Sequence, residues 1–488
     1  MVDRHYQEAP LNPLPAPSRR AVLGGLAGST VAAALGTTVP AQAKSDKPGK
    51  KDAVQTTPKF LMGLNTHLTG PKYIPDSVSV LQQSSANAIR DECAWAKVEL
   101  QAGVFAVPPE IDTYYTQIVA QGIEPMIILD YGNPLYDGGE RPTSAAGIAA
   151  FCAYAEFVAQ HFAGQVTRFE VWNEWDIAIG GVTGNGDPVE YVNLLSAVYA
   201  TLKAVDPTIT VVGGAVSALN YTYINTLLGN GILAVCDIFS VHTYVYADLP
   251  IENRVPEVWW QHVQDLQTVL RTYNSGQDFP LYVTELGWTT GFKPLTDDAG
   301  ITQELQAAYV ARLYLIARSL PYLKGLWIYG FEDEAWSYNT YGPNYGIVRP
   351  DLTPKEGYFA FHAVAHIVKF GTFVSLTNPL DPKLWALQFR DLDGSDVLAL
   401  WNSYLDDHYS VVLHNNGTTL APMKFEQPGG LSVTRQWGRK AWYDASNAVF
   451  TPDDLDVTLR RPPVLISGPL TDVTFRLIRK HTFPDTTR

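Results

Sequence analysis

From residue 60 onward, short apolar runs alternate with longer stretches whose apolar residues recur at helical spacing. Apolar runs of about four to eight residues, closed by turn residues, predict strands buried on both faces. Eight such runs follow in order: FLMGLN (60–65), ANAIRDE (86–92), EPMIILDY (124–131), RFEVWNE (168–174), TITVVGGA (208–215), DIFSVHTY (237–244), PLYVTEL (280–286) and GLWIYGF (325–331). Helical patterns lie between them. PDSVSVLQQSS follows the first run, and AAGIAAFCAYAEFVAQHFAG ends at Gly164, a C-cap. PVEYVNLLSAVYATLKAVDP opens with Pro188, and TQELQAAYVARLYLIARSL precedes the eighth run. Eight strand–helix repeats predict an α/β fold of parallel units closed into a (β/α)8 TIM barrel with long loops. A doubly wound open sheet competes, but no GxGxxG follows an early strand.

The pattern changes after about Phe370. LWALQFRD, DVLALWNS, HYSVVLHNNG, LSVTRQWG and DVTLRRPPVLISGP read as short strands split by DG, NNG and PGG turns. The expected division is a barrel over residues 59–370 and a C-terminal all-β, sandwich-like domain over residues 371–488. Residues 44–58 are polar and lysine-rich, and read as a linker. Residues 1–43 read as an export signal: Ser18-Arg19-Arg20-Ala21-Val22-Leu23 resembles the twin-arginine consensus, and Ala41-Gln42-Ala43 suits cleavage. The apolar stretch to Leu35 is interrupted by Gly and Ser and falls short of the roughly 20 residues a bilayer span needs. The expectation is a prokaryotic protein exported to a periplasm or the cell exterior, with no membrane span after cleavage.

Hydrophobic residues make up 46% and charged residues 17%, enough apolar material for a large core. The net charge of −14 repels nucleic acid and anionic membranes, so neither is an expected partner. Cys93, Cys152 and Cys236 are too few and too scattered for a disulfide framework or a CxxC zinc site, and read as buried thiols. No HExxH occurs among the ten histidines, and GxSxG is absent. No metal or cofactor is expected.

Functional residues of such a barrel gather at the C-terminal ends of its strands. There the fourth run ends in Asn173-Glu174, the seventh in Glu285, the second in Arg90-Asp91-Glu92 and the sixth in His242-Thr243-Tyr244. His67 follows the first run, Trp327 lies in the eighth, and Glu332-Asp333 follow it. A glutamate at the mouth of an apolar strand is poor core material. Two of them point to paired-carboxylate acid/base chemistry. Each residue also has a plainer reading. Arg90 could pair with Glu170, which shares the strand parity of Glu174. His242, Tyr244 and Trp327 could be core, His67 could cap, and Asp91, Glu92 and Asp333 read as structural or solvated rim carboxylates.

Aromatic residues crowd the long loops. Tyr246, Trp259 and Trp260 follow the sixth strand, Trp288 follows the seventh, and Trp336, Tyr338, Tyr341 and Tyr345 lie in the 332–354 loop. Flat apolar faces along several loops suit an elongated sugar cleft, and equally suit packing of the β-domain on the barrel.

EVWNE and VTELGW, three strands apart, resemble the signatures of the clan A glycoside hydrolases. Those are retaining enzymes on this barrel, with Asn-Glu ending strand four and a second Glu ending strand seven. NYGIVRPDLTPKEGYFAF is similar to the barrel's tail in the family 39-like branch, with a looser similarity to family 5. The resemblance implies that Glu174 is the general acid/base and Glu285 the nucleophile. It implies Asn173 on the sugar 2-OH, Arg90 beside Glu285, Tyr244 bonded to the nucleophile, His242 orienting the site and Trp327 as an apolar floor. Trp288 and His67 are further expected substrate contacts. The expected activity is retaining hydrolysis of β-linked polysaccharide or oligosaccharide, with endo action favoured by the aromatic loops. The alternatives are an exo-glycosidase or transglycosylase on the same glutamates, a non-catalytic carbohydrate-binding barrel, and a metal-dependent hydrolase.

Overall fold

The structure is a computed structural model, and it describes residues 60–69, 75–245, 248, 253–291, 300–334, 344–377 and 383–403, with 407–415, 421–422, 449–450, 454–459, 463–467 and 473–482. The expected export signal (1–43), the linker (44–58) and the aromatics Tyr246, Trp336, Tyr338 and Tyr341 lie outside the described residues. Residues 56–488 form one compact unit.

Strands β1 (Leu61–Asn65), β2 (Ala88–Glu92), β3 (Glu124–Leu129), β4 (Arg168–Val171), β5 (Thr210–Val216), β6 (Ile238–His242), β7 (Leu281–Leu286) and β8 (Leu323–Ile328) are parallel. They close into a barrel in the order β1-β8-β7-β6-β5-β4-β3-β2. Helices alternate with them: α1 (Pro75–Gln83), α2 (Pro109–Ala120), α3 (Ala145–His161), α4 (Pro188–Val205), α5 (Tyr221–Gly229), α6 (Pro256–Tyr273), α7 (Gln303–Ala317) and α8 (Glu356–Phe370). Side-chain caps fix several starts. Ser144 accepts from the Gly147 N–H, Thr302 from Leu305, and Asp187 from Val189 and Glu190 ahead of Pro188.

The barrel interior is layered. Leu61, Ala88, Met126, Val212, Ile238, Tyr282 and Trp327 fill its lower end as an apolar plug. Trp327 is the key to that plug. Its indole lies across Gly63 and Gly325, where a Cβ would fall 2.1 Å and 2.8 Å from the ring. The two glycines leave the gap that the ring fills. Further up the barrel the inward side chains turn polar: Arg90 and Ser240, each two residues past a plug residue, with Asn65 and Glu170, all buried. The expected sugar floor is corrected here: Trp327 is core, below the polar layer.

After Phe370 the chain forms two antiparallel sheets. One runs Thr372–Thr377, Leu384–Arg390, Asp396–Asn402, Val464–Ser467 and Ala421–Pro422. The other runs Val449–Phe450, Asp454–Leu459, Asp407–Asn415 and Val473–Thr482. The first sheet packs on the barrel's helices. Trp260 of α6 meets Trp385 edge-on at 5.5 Å, and Trp385 stacks on Trp401 at 5.9 Å. The Trp401 indole donates to Glu257 Oε1 at 2.7 Å, an oxygen that also accepts from Arg312 Nε at 2.8 Å. Trp260 therefore joins sheet to barrel, while Trp259 is fully buried and donates to Thr243 Oγ1 at 2.7 Å.

Candidate active site

Arg90 is the hub of the barrel mouth. A buried guanidinium is stable only when its N–H groups are paired. Nε donates to Glu170 Oε2 at 2.5 Å, Nη1 to Asn65 Oδ1 at 2.9 Å and to Glu285 Oε1 at 2.8 Å, and Nη2 to Asn173 Oδ1 at 2.8 Å. Burial opposes its charge, but Glu170 and Glu285 outweigh burial and raise its pKa above the usual arginine value. The two partners weighed for Arg90, Glu170 and Glu285, are held at once.

Glu174 leaves its strand through unusual backbone. β4 stops at Val171, and Trp172 (φ 68°) and Glu174 (φ 49°) both adopt left-handed conformations. Such residues cost on the order of 1–3 kcal/mol each and persist where surrounding structure holds them. Here the Glu174 N–H donates to Ala215 O at 2.9 Å, and the Trp172 ring lies edge-on to Trp175 at 4.9 Å. His67 (φ 49°) and Ala215 (φ 43°) repeat the feature at the ends of β1 and β5.

Glu285 is aimed by a different device. The β6–β7 register steps from Val241 opposite Val283 to His242 opposite Glu285, an irregularity that turns a side chain as a bulge does. Both its oxygens are engaged: Oε1 accepts from Arg90, and Oε2 accepts from the Tyr244 hydroxyl at 2.9 Å. Burial works to raise its pKa, but His242, Arg90, His67 and the Tyr244 bond outweigh burial and hold the carboxyl below the usual glutamate value.

His242 bridges the two glutamates. Its Nδ1 lies 2.9 Å from Glu174 Oε1 and 3.5 Å from Glu285 Oε2. Burial opposes a charge on the ring, yet Glu285 and Glu174 together raise its pKa above the ordinary histidine value. One oxygen of Glu174, one of Glu285 and a His242 nitrogen all lie within 4.8 Å of one another. A metal ion accepts three ligands at that spacing. The Arg90 guanidinium, 2.8 Å from Glu285, opposes a second cation there.

The other expected contacts divide. Asn173 is at the mouth, and its Nδ2 donates to the Tyr131 hydroxyl at 2.8 Å. His67 is exposed at the rim and lies edge-on to Tyr329 at 5.3 Å. Trp288 is corrected to a packing residue. It is 5% exposed, donates to Arg254 O at 3.0 Å and meets Tyr309 of α7 edge-on at 5.1 Å. Asp91 is structural as expected, accepting from Thr66 Oγ1, the Leu68 N–H and Thr69 Oγ1. Asp333 pairs with the buried Lys355 at 3.0 Å. Two residues escaped the sequence reading. Tyr131 supports Asn173, and Tyr329 gathers with Tyr244 and Tyr345 at centroid distances of 6.4 and 5.7 Å. Tyr329 is two residues past Trp327, so strand parity alone places it one layer higher on the same face.

No family model matches the sequence, and no curated protein matches it. Solved structures do. A family 39 glycoside hydrolase from the gut symbiont Bacteroides cellulosilyticus WH2 superposes with a TM-score of 0.66 at 22% identity, over 83% of this chain and 80% of that one. The fold is that of the family 39 glycoside hydrolases. A monomeric β-xylosidase from Caulobacter crescentus CB15 gives 0.55 at 16% identity, over 85% and 98% of the two chains. The catalytic domain of a family 30 xylanase C from Talaromyces cellulolyticus gives 0.52 at 11%, over 85% and 98%. These coverages exceed the barrel, so the family 39 likeness takes in part of the C-terminal sheets.

Proposed function

We propose that the chain is a retaining glycoside hydrolase acting on β-linked sugars, exported by the twin-arginine route. The observation that carries the reading is the placement of Glu174 and Glu285, with oxygens within 4.8 Å of each other at one barrel mouth. Double displacement needs carboxyl groups about 5–5.5 Å apart. Glu285, clamped by Arg90 and Tyr244 and kept ionised by its surroundings, attacks the anomeric carbon. Glu174 gives its proton to the leaving oxygen as the glycosidic bond breaks, and a glycosyl ester forms on Glu285. Water then attacks that carbon, Glu174 takes the water's proton, and Glu285 leaves as carboxylate. An amide NH2 has two donors. One Asn173 hydrogen goes to Tyr131, and the other is available to the sugar 2-OH.

One observation favours exo over endo action. Trp259, Trp260 and Trp288 pack into the molecule, while the rim aromatics Tyr244, Tyr329 and Tyr345 gather at one point beside Glu285. Among the described residues that one aromatic cluster suits a bound sugar end. The neighbour named as a β-xylosidase accords with that reading.

The test compares wild type with Glu285→Gln and Glu174→Gln on β-linked oligosaccharides, polysaccharides and aryl glycosides. Activity should fall by at least about 10²–10⁴-fold in each variant. Azide should rescue Glu174→Gln on an activated aryl glycoside. Activity surviving either change would overturn the assignment, and bound sugar without turnover would support the non-catalytic alternative.

A further inference from the structure

The mouth holds carboxyl groups that the proposed chemistry does not use. Glu92 lies two residues past Arg90 on β2, on the same face of the strand, and is half-buried. Asp130 follows β3, four residues past Met126 of the apolar plug, and continues that interior face. β2 and β3 are neighbours, and the Trp95 N–H donates to Asp130 O at 2.5 Å to hold their ends together. Asp130 is fully buried, and among the described residues neither of its carboxylate oxygens has a hydrogen-bond partner. A buried carboxyl without partners is a costly arrangement that asks for a role.

The nearby cations are engaged or at the surface. Arg90 is committed to Glu170, Asn65, Glu285 and Asn173. Lys97 is exposed and reaches Thr69 O at 3.5 Å, and His67 is exposed at the rim. A concavity lies between the ends of β1 and β8. It is lined by Thr66, His67, Tyr329, Glu332, Glu334 and Tyr345. β1 lies between β2 and β8, so Glu92 flanks this end of the mouth from one side and Glu332 and Glu334 from the other, with two tyrosine rings whose faces attract an organic cation.

We propose that the end of the mouth formed by β1, β2, β3 and β8 is a subsite for a sugar carrying a protonated amine, with Glu92 as the contacting carboxylate and Asp130 as the buried carboxyl behind it. The proposal rests on the glycoside-binding reading and names the sugar class. Burial and Asp91 push the Glu92 carboxyl up, and burial and Glu92 push the Asp130 carboxyl up. An ammonium beside Glu92 favours the ionised form of that carboxyl.

The experiment is calorimetric titration of the whole chain, at mildly acidic pH and low salt, with glucosamine, galactosamine and mannosamine. Each is compared with its neutral parent and its N-acetyl derivative, beside the aryl glycoside hydrolysis panel. At least one amino sugar should bind about tenfold or more tighter than its parent and its N-acetyl form, the scale of one charge-assisted hydrogen bond. Glu92→Gln should abolish the preference, and Asp130→Asn should keep it, because Glu92 and not Asp130 contacts the amine. Equal binding of parent and amino sugar, or a preference that survives Glu92→Gln, overturns the proposal. If hydrolysis is intact in that case, the glycosidase reading stands without it. No sugar binding and no hydrolysis overturn both.

Discussion

Tyr244→Phe removes one hydrogen bond from the proposed nucleophile. The hydroxyl donates to Glu285 Oε2 at 2.9 Å, and the ring packs at 6.4 Å from Tyr329 and 6.1 Å from Tyr345. Phenylalanine keeps the ring contacts, so the melting temperature should hold. A hydrogen bond to a charged group is worth about 1.5–3 kcal/mol, and a pKa unit about 1.4 kcal/mol, which bounds the shift at roughly one to two units. Arg90 at 2.8 Å and His242 at 3.5 Å remain on the carboxylate, so the lower figure, about one unit, is expected. The sign follows from the carboxylate's role. Glu285 must be ionised to attack, its pKa is held low by its partners, and activity is lost as pH falls through that pKa. Removing one partner moves the acid limb of kcat/KM to higher pH. The assay is the pH profile of kcat/KM on an aryl glycoside for both proteins, with thermal melting as the control. An acid limb that does not move, in a variant that folds normally, would refute the claim that Tyr244 sustains the charge of Glu285.

Other outcomes follow from the same geometry. Trp327→Phe should lower stability by about 1–3 kcal/mol in thermal or urea unfolding and leave KM near wild type, because the ring plugs the lower barrel. Tyr329→Ala should raise KM instead, and the opposite pair of results would return the sugar floor to Trp327. Burial lowers Lys355 from 10.5 to about 8, with Asp333 opposing. Between those two values the unfolded chain holds a proton that the folded chain lacks, so this lysine adds stability as pH rises, and Lys355→Met should remove that slope from melting curves. Replacing Arg19 and Arg20 with lysines should stop export in a reporter fusion, while continued export would refute the twin-arginine reading.

Strand order, the two glutamates and the polar residues Arg90, Asn173, His242 and Tyr244 were legible because apolar strands that end in charge are conspicuous. Depth within the barrel was not. Trp327 has the right parity for the interior but lies in the lowest layer, and only the packing over Gly63 and Gly325 places its ring there. Trp288 turns toward Arg254 and Tyr309 of α7, and Trp259 packs from α6 onto Thr243 after β6, choices set by tertiary partners. The left-handed turn at Glu174 and the register step at Glu285 carry no local motif. They arise from contacts with neighbouring strands, and they bring the two carboxylates together. Asp130 read as the end of an apolar strand, and its lack of partners appears only in three dimensions.

The central claim is that Glu285 forms a covalent bond to the sugar. Incubation with an activated fluorinated aryl glycoside, chosen from the sugars turned over, should yield a protein one glycosyl unit heavier. Peptide mass analysis should place that unit on Glu285. No adduct, or an adduct on another residue, together with inversion of the anomeric centre in the product, would contradict the account.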